Sequence, residues 1–229
     1  MMRELELKIP VNDWRRVSGY YHVPDGFEAG KTAAVIVGHG AGNDCRGSLI
    51  VEISRTLAHS GYAALRFNFP YREEGRNAPD PQKALEETYL AAAAAASSHP
   101  DFPAGPLVLS GKSMGGRIAS QVCLRIPDSR ALIFFGYPLH PPGRPENLRD
   151  AHLASVKLPM LFIQGTRDAL CDLDLLKPIL KRLPGAELVT IEGADHSYKL
   201  RKSDPRTGEQ ALAEVVHSAV SWLNAQKLD

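Results

Sequence analysis

The stretch at residues 106–126 places the strongest constraint on how this chain can fold. An apolar run at 107–109 meets Gly-Lys-Ser-Met-Gly-Gly at 111–116, and apolar residues then recur at helical spacing. This pattern predicts a strand, a tight turn and a helix, with Ser113 at the tip of the turn. Ser113 would stand clear of a sheet, with the backbone N–H of Met114 near any oxyanion formed beside it.

The residues Gly-Lys-Ser at 111–113 also resemble the end of a phosphate-binding loop, which would indicate a nucleotide hydrolase. The spacing argues against that reading, because Gly105 lies one residue too far upstream of Gly111 for G-x-x-x-x-G-K-S. The intervening residues 106–110 also have the pattern of a strand, and a strand cannot wrap around a phosphate. We therefore interpret the segment as a turn that presents a nucleophilic serine.

A glycine-rich loop at 38–42 follows a predicted strand at 32–37. Such a loop raises the alternative of a dinucleotide cofactor, but position 43 is Asn where the fingerprint has glycine, and no acidic residue ends the next predicted strand. We expect neither a nicotinamide nor a flavin cofactor. The loop is better suited to supply the second donor of an oxyanion hole, the backbone N–H of Ala41, whereas His39 is expected to be structural.

Length and charge narrow the class of protein. The chain has 229 residues, with 27 Lys and Arg against 26 Asp and Glu, which is enough for one sizeable core, and we expect a single domain over 1–229. A near-neutral chain has no basic surface that would favour nucleic acid or an anionic membrane. The three cysteines are widely spaced, and no apolar leader or membrane-spanning stretch is evident, so the sequence predicts a cytoplasmic protein.

Strands and helices alternate along most of the chain. Two short alternating runs at 5–9 and 17–23 are typical of edge strands, and apolar strands then alternate with amphipathic helices. This order predicts a mostly parallel, doubly wound α/β sheet with an antiparallel N-terminal edge. Later strands are expected at 32–37, 62–67, 107–109, 131–135, 158–163 and 187–191. Helices are expected at 49–58, 81–97, 114–126, 172–183 with a kink or break at Pro178, and 207–223 with a capping box of Thr207 and Gln210.

Three chemically active side chains each follow directly on a predicted strand, where open α/β sheets bind their ligands. A serine hydroxyl needs a base to attack at neutral pH, and an imidazole needs a carboxylate to hold its tautomer. Ser113, His196 and Asp168 supply these groups, in a chain order that fits such a fold. Asp195 is an alternative carboxylate, but it adjoins the histidine and its side chain should point away from the ring.

The sequence also gives expectations for the residues that border the site and for metal binding. Loops at 68–75 and 136–143 lie at the same end of the predicted sheet as Ser113. We expect an open, shallow site bordered by Tyr71, Tyr137, His140 and Tyr198. The other histidines have no metal-ligand spacing, so no metal site is predicted.

Five segments make the chain resemble the α/β-hydrolase superfamily over nearly its whole length. They are residues 38–42, 66–71, 111–117, 165–168 and 195–197. More closely, the chain is similar to small predicted hydrolases related to dienelactone hydrolases, a group that includes testis-expressed protein 30 and a subunit of the non-specific lethal chromatin complex. The resemblance implies a Ser, Asp, His triad in a compact core with no large lid domain. Dienelactone hydrolases have a cysteine nucleophile where this chain has Ser113, and the chromatin relative implies that the fold can serve as an interaction module.

These patterns lead to a functional expectation. We expect a serine hydrolase that acts on a small ester, thioester or related acyl substrate through an acyl-enzyme, without a metal or organic cofactor. Short or water-soluble acyl groups are favoured over long lipids. The alternative is a non-catalytic interaction or scaffold module that retains the hydrolase fold, and the triad argues against it. The oligomeric state is not predicted.

Overall fold

The computed structural model describes residues 2–226 and residue 228, and in these residues the strands join into one sheet. The strands are β1 Arg3–Pro10, β2 Arg16–Val23, β3 Ala34–Gly38, β4 Ala63–Phe67, β5 Leu107–Lys112, β6 Ser129–Phe135, β7 Met160–Gly165 and β8 Ala186–Ile191. The α-helices are α1 Ser48–His59, α2 Pro70–Glu73, α3 Gln82–Ser97, α4 Met114–Val122, α5 Leu173–Leu180 and α6 Gly208–Ala225. Short 3₁₀ helices lie at Cys123–Arg125 and Ala151–Ser155.

The sheet confirms the predicted α/β-hydrolase architecture. Its strand order is β1-β2-β4-β3-β5-β6-β7-β8, and β1 and β2 run antiparallel to their neighbours while the other pairs are parallel. Helices cover both faces, so β3, β4 and β5 are buried along their whole length, as their continuous apolar runs require. No large lid domain covers the sheet in the described part of the chain.

Two apolar layers hold the sheet between its helices. On one face, α3, α4 and α5 contribute side chains such as Tyr89, Ile118 and Leu176 to the core. On the other face, α1 and α6 pack side chains such as Ile53 and Val215 against the same strands. The sheet is therefore a rigid platform, and the loops at its carboxyl edge are held from both sides.

Local details both agree with and depart from the expectations. The predicted capping box is present, because Gln210 N–H donates to Thr207 Oγ1 and Thr207 N–H donates to Gln210 Oε1. Where a loop was expected, Pro70–Glu73 forms the short helix α2, begun by a proline in the first turn. Helix α5 is not broken at Pro178 but continues for two more residues and ends at Leu180, earlier than expected. Proline at this position removes one i→i−4 hydrogen bond of the helix.

The parallel strands set the position of the functional loops. The carboxyl ends of β3, β5, β6, β7 and β8 meet at one edge of the sheet, because these strands all run in the same direction. Among the described residues, no helix is both long enough and apolar enough to cross a membrane.

Candidate active site

Ser113 occupies the sharp turn between β5 and α4. Its φ of 51° and ψ of −113° are unusual for a residue with a side chain, and such a conformation costs about 1–3 kcal/mol. A Cβ on Gly111 would lie 2.5 Å from the carbonyl carbon of Gly115, and a Cβ on Gly115 would collide with the carbonyl oxygen of Gly38. Glycine is therefore required at both positions, and the turn holds the serine away from the sheet.

The three predicted side chains are in hydrogen-bond contact. His196 Nε2 lies 2.8 Å from Ser113 Oγ, and His196 Nδ1 lies 2.7 Å from Asp168 Oδ2. These groups come from the ends of β5, β7 and β8, far apart in the sequence. The arrangement can transfer a proton from the serine hydroxyl to the imidazole while the carboxylate stabilises the resulting charge.

Burial differs along this chain of hydrogen bonds. The side chain of Asp168 is fully buried, and its Oδ1 accepts a hydrogen bond of 2.8 Å from the N–H of Leu170, whereas the side chain of His196 is 23% exposed. A buried carboxylate held in this way keeps one orientation, while the imidazole stays accessible to a substrate. Asp195 is not the partner of the imidazole, because its carboxylate accepts hydrogen bonds from the backbone N–H groups of Ser197 and Lys199.

The expectation that Tyr198 borders the site is wrong. Tyr198 is only 4% exposed, and its hydroxyl donates a hydrogen bond of 2.8 Å to the carbonyl oxygen of Ile163 in β7. Its φ of 61° makes it the only non-glycine residue besides Ser113 with a positive φ in the described chain. The ring thus anchors the loop that carries His196 and does not face a substrate.

Tyr71 and Tyr137 were also expected to border the site, and both are fully buried. The hydroxyl of Tyr71 donates to the carbonyl oxygen of Gly40 at 3.4 Å, and the hydroxyl of Tyr137 donates to that of Arg149 at 2.7 Å. The prediction is therefore wrong for these two rings as well, because a ring without solvent exposure cannot touch a substrate. Tyrosine suits such positions, since its ring fills the core and its hydroxyl reaches a polar backbone group.

His140 lies beside a different cavity from the one that contains Ser113. It is 5% exposed and lines a cavity of about 560 Å³ together with Asp168. Its Nε2 accepts a hydrogen bond from the N–H of Asp172, and its Nδ1 lies 3.0 Å from the carbonyl oxygen of Pro141. His140 thus holds the start of α5 on the far side of Asp168.

The loop after β3 packs directly against the serine. A Cβ on Gly40 would lie 3.6 Å from the Cβ of Ser113, so the chain passes close to the nucleophile. His39 is fully buried, its Nδ1–H donates to the carbonyl oxygen of Gly40 at 2.9 Å, and its Nε2 accepts from the N–H of Phe69 at 3.1 Å. Burial lowers the pKa of His39 to about 4, so the ring is neutral and structural, as expected.

A cavity of about 300 Å³ opens at the serine. Ala41, Ser113 and Met114 line it together. Its apolar wall consists of Pro79, Leu85, Pro138, Pro142 and Leu170. Its remaining polar lining consists of Asp80, Gln82, Arg117 and Arg149.

Sequence reasoning missed Arg117 and Arg149 as cavity residues. Arg117 follows Ser113 by four positions on α4, and this helical spacing was the available signal. Arg149 lies in an irregular segment, where no period indicates which way a side chain points.

Lys112, which precedes the nucleophile, was missed as well. It is 7% exposed, and its Nζ has no hydrogen-bond partner among the described residues. The ammonium lies 5.8 Å from the centre of the Tyr198 ring, and a Cβ on Gly136 would come within 2.8 Å of it. Burial lowers the pKa of Lys112 to about 8, although the charges of Asp168 and Asp195 oppose this shift. A buried cation therefore lies beneath the site.

No group of three or more His, Cys, Asp or Glu side chains that could hold a metal ion occurs in residues 2–226 and 228. The three cysteines are free and buried, and burial raises the pKa of the thiols of Cys45, Cys123 and Cys171.

Solved structures with the same fold include known hydrolases. Dienelactone hydrolase from Anabaena variabilis matches with a TM-score of 0.76 and 23% identity over 98% of each chain. Est1E from Butyrivibrio proteoclasticus matches with a TM-score of 0.70 and 18% identity over 96% of this chain and 99% of that one. XC6422 from Xanthomonas campestris, described as an α/β serine hydrolase without lid, matches with a TM-score of 0.70 and 20% identity over 99% and 97%. At these identities the similarity concerns the fold.

A family model independently matches most of the sequence. It describes an alpha/beta hydrolase domain and covers residues 31–224, from before β3 nearly to the end of α6. The match includes all five carboxyl strand ends described above. The chain therefore belongs to the alpha/beta hydrolase family, and this membership supports hydrolase activity.

Proposed function

We propose that the protein is a serine hydrolase that cleaves a small ester, thioester or related acyl substrate. The observation that carries the proposal is the continuous chain of hydrogen bonds from Ser113 through His196 to Asp168. A protein that only binds a partner has no physical need for these three groups in this order, whereas acyl transfer needs each of them.

In the proposed reaction, Ser113 Oγ attacks the acyl carbon while its proton passes to His196 Nε2. Asp168 stabilises the imidazolium through Nδ1. The tetrahedral intermediate then collapses, the bond to the alcohol or thiol breaks, and the leaving group takes the proton from Nε2. Water next attacks the acyl-enzyme, His196 accepts its proton, and the acid is released as the serine regains its hydrogen.

The oxyanion would be held by the backbone N–H groups of Met114 and Ala41. Met114 is the first residue of α4, where N–H groups have no acceptor within the helix. The carbonyl of Gly40 accepts hydrogen bonds from His39 and Tyr71 on the interior side. Because C=O and N–H of one trans peptide point in opposite directions, this holds the N–H of Ala41 away from the interior. Loss of one such donor typically costs about 2.7–4 kcal/mol in the transition state.

The cavity supports a small substrate. Its volume of about 300 Å³ is at the lower end of the range of roughly 300–1,000 Å³ that is usual for small-molecule sites. A short acyl group fits this space and a long lipid chain does not.

A fluorophosphonate probe tests the nucleophile. We expect the wild type to be labelled at Ser113 and Ser113→Ala to be unlabelled with an unchanged melting temperature. Ser120→Ala is the matched control, because Ser120 also contacts a histidine ring, His152 Nε2 at 2.8 Å, yet is only 2% exposed. This variant should label like the wild type.

The scaffold alternative makes the opposite prediction. Folded wild-type protein that neither reacts with the probe nor hydrolyses any nitrophenyl ester would favour a non-catalytic interaction module. A series of nitrophenyl esters and thioesters of increasing acyl length would, in the enzyme, show kcat/KM falling once the acyl chain exceeds the cavity.

A further inference from the structure

Two arginines line the cavity that opens at Ser113. Arg117 lies on α4, four residues after the serine, and Arg149 lies in the segment that follows β6. Both line the cavity of about 300 Å³ together with Ser113, Ala41 and Met114. Two positively charged residues therefore line the cavity that an acyl group would enter.

Neither guanidinium forms an ion pair with a carboxylate in the described part of the chain. Among the described residues, the side chain of Arg117 forms one hydrogen bond, a long one of 3.4 Å to Gln121 Oε1. Burial, and then the positive charge of Arg149, lower the pKa of Arg117 below its ordinary value. Two cations that oppose each other without a counter-ion favour the binding of an anion.

Two carboxylates near the arginines, Asp80 and Glu86, are already engaged by other groups. Asp80 lines the same cavity, but its Oδ1 pairs with Arg76 at 2.6 Å and its Oδ2 accepts from the N–H of Tyr71 at 2.7 Å. Glu86 also acts on Arg117, but its Oε2 pairs with Arg125 at 3.0 Å. Of the charged residues that line the cavity, Asp80 is thus paired, whereas the two arginines form no ion pair among the described residues.

Both arginines are attached to rigid backbone. Arg117 is held by α4. The segment that carries Arg149 is tied down twice, because the hydroxyl of Tyr137 donates to the carbonyl oxygen of Arg149 and the N–H of Arg149 donates to the carbonyl oxygen of Leu139. A preformed pair of this kind binds an anion without first ordering a loop.

We propose that Arg117 and Arg149 form an anion subsite that binds a carboxylate on the acyl part of the substrate. The substrate class would then be acyl compounds with a second, ionised carboxyl group, such as monoesters or monothioesters of short dicarboxylic acids. The apolar wall of Leu85, Pro138 and Leu170 would contact the hydrocarbon between the two groups. This assignment rests on the proposed function for the position of the scissile bond.

A carboxylate fits this subsite better than a phosphate. Phosphate sites usually use the backbone N–H groups at a helix N-terminus. At this site the N-terminus of α4 adjoins Ser113, and its first N–H belongs to the proposed oxyanion hole. Arg117 lies about one helical turn further along α4. Two planar guanidinium forks match the two oxygens of a carboxylate.

Binding to the Ser113→Ala variant tests the subsite without any turnover. Isothermal titration calorimetry would compare monomethyl glutarate with methyl pentanoate, which differ only by a carboxylate in place of a methyl group. We expect the charged ester to bind about tenfold more tightly or better, and Arg117→Met or Arg149→Met to remove most of that preference. Arg130→Met is the control, since Arg130 lies at the opposite edge of the sheet at the start of β6, and it should retain the preference.

Three outcomes would overturn the assignment. They are equal binding of the charged and neutral esters, a preference that survives in both Met variants, and tighter binding of propyl phosphate than of monomethyl glutarate. A loss of the preference in the Met variants could also result from misfolding. An Arg149→Glu variant tests this, because a folded protein with the reversed charge should gain affinity for the cationic methyl 5-aminopentanoate.

Kinetics separates this inference from the proposed function. For a wild type that hydrolyses esters, we expect kcat/KM for the nitrophenyl monoester of adipate to exceed that for nitrophenyl hexanoate about tenfold, and the ratio to fall in either Met variant. Selective binding with no fluorophosphonate labelling would support the subsite and contradict the hydrolase. Labelling and hydrolysis with no charge preference would contradict the subsite alone.

Discussion

Two histidines stand at the same edge of the sheet, and the fold holds them in opposite ways. His39 follows β3, is fully buried, and uses both ring nitrogens within its own surroundings, toward Gly40 and Phe69. His196 follows β8, keeps its side chain 23% exposed, and places its nitrogens against Asp168 and Ser113. Both are imidazoles at strand ends, but only His196 is partly exposed and in contact with the serine that we propose as the nucleophile.

The comparison shows that the partners of a ring, more than its residue type, decide what it can do. Burial lowers the pKa of His39 to about 4, so that ring stays neutral and serves to position the peptide between Gly40 and Ala41. The ring of His196 instead has a buried carboxylate on one side and a hydroxyl on the other. Its two hydrogen bonds are those that the proposed proton transfer would use.

The largest expected effect comes from His196→Ala. We expect kcat on a nitrophenyl ester to fall roughly ten-thousand-fold or more, because the base is lost, with the free energy of unfolding changed by less than about 1 kcal/mol. Steady-state kinetics and urea unfolding measure the two quantities. An unchanged kcat in a pure preparation would contradict the proposed difference between the two histidines, since both would then be structural.

The reverse pattern is expected of His39→Ala. Removing a buried ring and its two hydrogen bonds should lower the free energy of unfolding by about 2–4 kcal/mol, as measured by urea denaturation at pH 7. We also expect kcat to fall about tenfold, because the Gly40 carbonyl loses one of the groups that orient the proposed oxyanion donor. Fluorophosphonate labelling of Ser113 should persist at a reduced rate. A full loss of labelling in folded protein would mean that His39 takes part in the chemistry.

Lys112→Met extends the comparison to a buried group whose Nζ has no hydrogen-bond partner among the described residues. The pKa of Lys112 is about 8 in the folded protein against an ordinary value of 10.5, so between these values the unfolded chain binds more protons. The contribution of this lysine to stability therefore rises with pH across that window, and its burial is most costly below pH 8. We expect the Met variant to be more stable at pH 7, with its advantage over the wild type smaller by about 2 kcal/mol at pH 10 than at pH 8.

Urea unfolding from pH 7 to pH 10 measures this advantage. The control is Lys83→Met, which replaces a lysine whose side chain is 89% exposed on α3. Its stability relative to the wild type should not vary with pH. An advantage of Lys112→Met that stays constant over this range would show that the lysine is not buried as a cation.

The smallest effect concerns the pH dependence of His39. Its pKa is lowered from 6.5 to about 4, so the unfolded chain binds more protons in this interval and the stabilising contribution of the neutral ring is lost as pH falls. The gap in unfolding free energy between the wild type and His39→Ala should therefore shrink by about 1 kcal/mol from pH 7 to pH 5.5. His22 has a similarly lowered pKa but is present in both proteins, so its effect cancels. A gap that widens on acidification would contradict a neutral, buried His39.

Much of the fold was predictable because its signals are local. The apolar runs marked the parallel strands, and Thr207 with Gln210 marked the start of α6. The elbow was recognisable because Gly111, Ser113 and Gly115 must occupy fixed positions around one turn. The bounds of α5 and the existence of α2 were missed, since short helices depend on packing as much as on propensity.

The site was predictable only in part. Residues that follow directly on parallel strands meet at one edge of the sheet. The sequence therefore predicted that Ser113, Asp168 and His196 lie close together, and in the structure they are within hydrogen-bond distance. The loop sequences did not indicate which side chains line the cavity. Tyr71, Tyr137 and Tyr198 follow strands too, yet all three rings are buried.

The pattern of amino acids alone determined the alternation of strands and helices, the turn at Ser113 and the identity of the groups that could react, because these depend on periods and spacings within a few residues. Only the tertiary structure decided which side chains face the cavity. That choice depends on contacts between distant segments, such as the hydroxyl of Tyr198 on the carbonyl of Ile163 and the hydroxyl of Tyr137 on that of Arg149. A loop has no regular period, so the free energy of burying its rings and pairing its polar atoms sets the direction of each side chain.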